Sequence, residues 1–187
     1  MRTDPVRFRR HNARMTTTQE TNTRERAKLV ETLAKHRGFL RQTVQGLNDE
    51  EASRCTTASA LCLGGVIKHV TSVELGWVEF MQRGPEAMSG VDEAAMQAHA
   101  DSFRMLEGET LTGLLAQYDE AARHTEQVVG GLPSLDVSHP LPVAPWFEPG
   151  AQWSARRVLL HILAETAQHA GHADIIRESL DGAKTMG

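Results

Sequence analysis

Aromatic residues are scarce, 5% of 187 positions. A core of stacked rings is therefore excluded, and burial must come from Leu, Val, Ile, Ala and Met. Cysteine is scarcer still. Cys55 and Cys62 form neither a zinc-knuckle pair nor a redox C-x-x-C motif. A helix through 55–62 would set them about two turns, roughly 10 Å, apart, beyond disulfide reach, so they read as two small residues in a reducing cytoplasm. No apolar run reaches membrane-spanning length, and the first residues lack the apolar stretch of a secretory signal. These absences predict a cytoplasmic protein with no membrane partner. Excess basic charge is also missing. The formal charge is -4, which argues against nucleic acid as a partner. There is no internal repeat, no low-complexity tract, and no alternating β-pattern beyond a few residues.

Hydrophobic residues make up 40% and charged residues 24% of the chain, ordinary values for one globular domain of this length. Met1–Arg14 carries five arginines (Arg2, Arg7, Arg9, Arg10 and Arg14) and little to bury. With the polar run Thr16–Thr23 it reads as a disordered lead-in over residues 1–22, followed by a single domain over 23–183.

Four segments of that domain carry helical periodicity, which predicts an all-α bundle. The first spans about Thr23–Val44, with Leu29, Leu33, His36, Leu40 and Val44 on one stripe, Thr23 as N-cap and Gly46 as the close. The second spans about Thr57–Gln82 and stops at Gly84–Pro85. The third spans about Thr110–Val129, with Leu111, Leu114, Leu115, Tyr118, Ala121, Ala122 and Val128 for burial, and ends at Gly130–Gly131. The fourth runs from the N-cap Ser154 to Leu180 and stops at Asp181–Gly182. Two long connections separate them. In 85–109 a short extra helix is expected over Asp92–Met105. The other, 131–153, holds five prolines with Trp146, Phe147 and Trp153, a length more typical of functional loops.

The fourth segment places polar groups where a bundle wants oil. Its seam reads Val158, Ile162, Glu165, His169, His172, Ile176. A buried ionised carboxylate costs several kcal/mol unless it is paired or bound to metal. Glu165 and His169 leave one face a turn apart, a spacing that lets an oxygen and an imidazole nitrogen converge on one ion. In the second segment His69 sits among Ala60, Leu63, Val66, Ile67, Val70 and Val73. Facing helices lie ~8–10 Å apart, about the span of two opposed ligands and an ion. His69, Glu165 and His169 thus form a candidate site with a position left for water or substrate. It suits Zn²⁺ first, and also Ni²⁺, Fe²⁺ or Mn²⁺. A hydrogen-bonded core histidine and a buried or solvated Glu–His pair remain the plain alternatives. His161 lies too far along the helix to share an ion with His169. It is expected, with His172, in an outer or acid–base role.

At these residues the chain resembles a known superfamily. The run Leu159–Glu178, with His161, Glu165, His169 and His172, resembles the last helix of actinobacterial DinB-like proteins. That superfamily includes mycothiol-dependent maleylpyruvate isomerase. The run Leu63–Glu74, with Gly64, Gly65 and His69 and followed by Trp77, resembles the helix that supplies the superfamily's other metal ligand. The resemblance covers roughly residues 20–185. It implies an up-down-down-up four-helix bundle holding one metal, often zinc or nickel. Many members use three histidines. In the maleylpyruvate isomerase branch a Glu replaces the middle one, as Glu165 does here. The implied ligands are again His69, Glu165 and His169.

The resemblance further implies a metal-dependent thiol transferase or isomerase, with mycothiol as co-substrate and an electrophilic small molecule as partner. A thiol on a dication loses its proton near neutral pH. Arg156 and Arg157, which open the fourth helix, and Trp77 and Trp153 are the candidates for holding the thiol. Packing is the competing role for all four. A non-catalytic, metal-stabilised stress-response or binding module and a metal-assisted hydrolase are the rival readings. A homodimer packed through helix faces is the expected assembly.

Overall fold

The structure, a computed structural model, describes residues 5–88 and 93–185, with side chains in the first helix described from residue 22 onward. The first helix, α1, spans Pro5–Gln42. Thr23 is therefore an interior position and not an N-cap, and no helix start marks the boundary expected at residue 22. Residues 1–4 of the expected lead-in lie outside the described residues. A turn ending at Gly46, whose φ is 78°, closes α1. Among the described side chains of α1 the buried positions are Leu33, Arg37 and Leu40, Val44 is buried in the turn that follows, and His36 is half-buried. Arg37 thus takes the place expected of His36 on the inward stripe.

A short helix that the sequence reading lacked, α2 (Asp49–Ser53), follows. It is held by reciprocal bonds in which Glu51 N donates to Asn48 Oδ1 and Asn48 N donates to Glu51 Oε2, each at 2.9 Å, a capping box. Helix α3 is Leu63–Arg83, starting later than the expected Thr57. The Cys62 sulfur caps it, accepting from Gly65 N at 3.4 Å. The stretch 55–62 is consequently not helical. Cys55 is exposed, Cys62 is buried, and both are free thiols. A 3₁₀ turn over Gly84–Ala87 ends α3.

The extra helix, α4, is Glu93–Ser102, shorter than the expected Asp92–Met105, with Asp92 itself outside the described residues. Helix α5 is Leu111–Gly131, N-capped by Thr110. Two short antiparallel strands that periodicity did not show, β1 (Ser138–Pro140) and β2 (Gln152–Ser154), pair His139 with Trp153. They staple the proline-rich connection together and set Trp153 immediately before the last helix. That helix, α6, is Ala155–Asp181, with Ser154 as N-cap and Gly182 in the left-handed conformation (φ 81°) as C-cap.

Side-chain contacts fix the helix directions. Arg156 reaches Glu25, and Arg177 Nη1 donates to the Thr43 and Gln45 carbonyls at 3.0 and 2.9 Å, so α1 and α6 are parallel. Lys68 meets Glu109 at 2.7 Å and His124 meets Glu79 at 3.4 Å, so α3 and α5 are parallel. Arg26 donates to the Leu132 carbonyl, just past the end of α5, at 2.8 Å, and Arg41 farther along α1 pairs with Asp119 farther back on α5, making those two antiparallel. The bundle is up-down-down-up.

Its core falls into two apolar clusters. One gathers Leu40, Val44, Leu63, Ile67, Leu114 and Ile176 with their neighbours. The other gathers Leu33, Phe80, Met81, Val129, Val158 and Ile162 with theirs. Between them lies a polar layer to which each of the four long helices contributes a buried residue: Arg37, Glu74, Thr125 and Thr166. Arg37 Nε donates to Glu74 Oε2 at 3.1 Å, Arg37 Nη2 donates to the other carboxylate oxygen, and Thr125 also donates to Glu74. The carboxylate is fully buried, so these bonds replace the water it gave up.

Candidate metal centre

The polar layer continues to the α3–α6 face, where His69, Glu165 and His169 meet. Ligand-capable atoms of the three lie within 4.8 Å of one another, and His169 Nε2 is 3.6 Å from Glu165 Oε2. Both histidines are buried, but 28% of the Glu165 side chain is exposed. The carboxylate expected inside the bundle thus stands on its rim, at less desolvation cost, and is the member of the trio open to solvent.

The donor set fits a first-row dication. Two donors about 2.1 Å from a tetrahedral ion are about 3.4 Å apart. The His169–Glu165 separation of 3.6 Å nearly meets this, and all three donors lie within 4.8 Å of one another. Protonation agrees. Burial, reinforced by the neighbouring His169 and His99, pushes His69 down to about 4. Burial also lowers His169 and His161, with Glu165 opposing it in each case. Neutral imidazoles at pH 7 offer the lone pairs a metal needs.

Around this trio the remaining expected residues take distinct places. His172 Nδ1 lies 3.5 Å from His169 Nδ1, on the side of the ring away from Glu165, so it neighbours a candidate ligand and stands outside the trio. His161 Nε2 is 4.0 Å from Glu165 Oε1, one turn toward the helix start. Its ring packs edge-on against Trp77 at 4.9 Å and Trp153 at 5.2 Å. The two indoles stack on each other at 4.6 Å, and the Arg157 guanidinium lies over Trp153 at 4.5 Å. Trp77, Trp153, His161 and Arg157 therefore form one continuous wall leading to Glu165. Arg156 departs from the expected grouping. It pairs with Glu25 on one side and Asp136 on the other, so its charge is spent joining α6 to α1 and to the proline-rich connection.

Two neighbours of His69 escaped the sequence reading because they come from the connection between α3 and α5. Phe103 stacks on the His69 ring at 3.9 Å, and Ser102 Oγ lies 2.9 Å from His69 Nδ1. The signal that could have located them is the Gly64–Gly65 pair. A Cβ on Gly65 would sit 2.0 Å from the Phe103 carbonyl oxygen, and one on Gly64 would sit 2.2 Å from Met105 Sδ. The glycines let the chain after α4 rest directly on α3, one turn from His69.

The model of the mycothiol-S-transferase family matches residues 28–182. The chain belongs to that family. This agrees with the DinB-like resemblance of its α3 and α6 motifs. A crystal structure of a conserved protein from Enterococcus faecalis superposes with a TM-score of 0.63 at 13% identity, covering 84% of this chain and 97% of the other. At that identity the likeness concerns the fold. No curated protein matches the chain. No helix among the described residues is long and apolar enough to cross a membrane.

Proposed function

We propose that this mycothiol-S-transferase family member binds one divalent cation through His69, Glu165 and His169 and joins a low-molecular-weight thiol, mycothiol, to an electrophilic small molecule. The convergence of these three side chains at the solvent-facing rim of the bundle carries the reading. Zinc is the favoured ion for two imidazoles and one carboxylate, with nickel, iron and manganese as the other candidates. A dication there lowers the pKa of a thiol, so that a thiolate is available at neutral pH.

The chain's own residues supply the rest. His161, kept neutral by burial, accepts the thiol proton at Nε2. The sulfur–carbon bond forms as the leaving group departs with its bonding pair, and the proton then leaves His161 with that group or to solvent. Trp77 and Trp153 give a flat apolar surface for the electrophile. Arg157, with no carboxylate partner among the described ion pairs, offers a cation to the polar body of the thiol. The same reading places the enzyme in the cytoplasm, with the thiol pool, as a homodimer whose mass light scattering would report.

The test is conjugation of a bimane or chlorodinitrobenzene electrophile by the purified protein with mycothiol, bacillithiol or glutathione, before and after chelation. Turnover with mycothiol that stops on chelation and in His69→Ala is expected. Conjugation that ignores both treatments, or metal-dependent hydrolysis that needs no thiol, would refute the proposal.

A further inference from the structure

We propose that Ser102, the last residue of α4, sets the tautomer of His69 and so positions it as a ligand. Ser102 is 6% exposed, and its hydroxyl has two protein partners. Its Oγ–H donates to the His99 carbonyl oxygen at 2.6 Å, and Oγ lies 2.9 Å from His69 Nδ1. A carbonyl oxygen can only accept, so the hydroxyl proton is committed to His99. Ser102 Oγ then has only lone pairs left to offer, and Nδ1 of His69 must carry the hydrogen between them. A neutral imidazole has one N–H, so Nε2 is left with its lone pair free for the Glu165–His169 side. The other tautomer would set two lone pairs face to face 2.9 Å apart, or would break the bond to His99. At so buried a position water does not easily stand in.

The surrounding chain holds Ser102 in place. Phe103, the next residue, stacks on the His69 ring, and its backbone lies against the bare face of Gly65. Asp101, the preceding residue, bonds the Arg104 guanidinium at 2.9 Å. Partners of this kind on the far nitrogen of a ligating histidine fix ring orientation, and losing one typically costs 10–100-fold in metal affinity.

The experiment has two arms, of which only the second rests on the metal reading. In the first, ¹⁵N-histidine spectra of the metal-free protein at pH 7.5 report the His69 tautomer. The wild type should show Nδ1–H, Ser102→Thr should keep it, and Ser102→Ala should shift toward Nε2–H or a mixture. A wild-type His69 in the Nε2–H form overturns the proposal, and this reading needs no variant to fold. In the second, Zn²⁺ affinity is measured by chelator competition. Ser102→Ala should bind about 10–100-fold more weakly, with Ser102→Thr close to wild type. Unchanged affinity in Ser102→Ala overturns the positioning role. A wild type that binds no zinc yet shows the Nδ1–H tautomer overturns the metal reading and supports the control of His69 by Ser102.

Discussion

Replacing Gly65 by Ala should destabilise this protein, against the usual trend. Inside a helix, Gly→Ala ordinarily stabilises by up to about 1 kcal/mol. Here the new methyl would lie 2.0 Å from the Phe103 oxygen, 2.3 Å from its carbonyl carbon and 2.6 Å from Arg104 N. All three are backbone atoms, so no side-chain rotation relieves the clash. Reaching ordinary contact at 3.4 Å requires the Phe103 segment to withdraw by about 1.4 Å. That movement would carry Ser102 out of hydrogen-bond range of His69, at about 1 kcal/mol, and would open the Phe103–His69 stack. Overpacking of a close contact typically costs 1–3 kcal/mol. Set against the helix-propensity gain, a net loss of about 1–3 kcal/mol follows, or a fall in Tm of roughly 3–10 °C for a chain of this size. Two substitutions in the same helix serve as comparisons. Gly76→Ala meets nothing within 4 Å and should stabilise. Gly64→Ala meets the end of the flexible Met105 side chain and should fall between the other two. Calorimetry on the metal-free proteins gives the ranking. A Gly65→Ala protein as stable as wild type would refute the inferred contact between the chain after α4 and helix α3.

Glu74→Ala should cost about 3–5 kcal/mol in urea unfolding, because it leaves the buried Arg37 guanidinium without its main counter-charge, with Glu126 at 3.8 Å and half-exposed as the remaining partner. Glu74→Gln, which keeps hydrogen-bond capacity, should cost less, and equal losses would argue against a charge effect. The metal-free protein should lose stability as pH falls from about 6.5 to about 4. His69 stays neutral in the folded chain down to about 4 and takes its proton near 6.5 when unfolded, so in that window the unfolded state binds more protons. His169 and His161, both lowered by burial, act in the same direction. Melting temperatures from pH 7.5 to 4.5 check this, and a flatter profile is expected in His69→Gln. A Tm that rises as the pH falls would contradict it.

Much of the fold is legible because α-helical signals are local. Ser154 caps the last helix as expected, Gly182 ends it, and the third segment starts where expected, at Thr110, which proves to be its N-cap. Each device needs only neighbours in sequence to act. The grouping of His69, Glu165 and His169 was legible for a related reason, since an i, i+4 pair on an inward stripe must face another helix, and His69 stands out among aliphatic neighbours. What could not be read depends on contacts distant in sequence. Arg37 on α1 and Glu74 on α3 are 37 residues apart in sequence and look like two solvated charges until the helices pack. Ser102 and Phe103 belong to a connection whose path is set by where it rests on Gly64 and Gly65. Cys62 as an N-cap defeated the expected start of α3, because sulfur is a weak acceptor and not a usual helix-start signal.

The most direct test of the account is zinc or nickel titration of the metal-free protein, with stoichiometry and affinity measured for the wild type and for His69→Ala, Glu165→Ala and His169→Ala. One tightly bound ion per chain is predicted, with a coordination shell of two imidazoles, one carboxylate and exchangeable solvent by X-ray absorption, and a large loss of affinity in each variant. A wild type that binds no ion, or binding that survives all three substitutions, would contradict the claim that these residues form a metal centre.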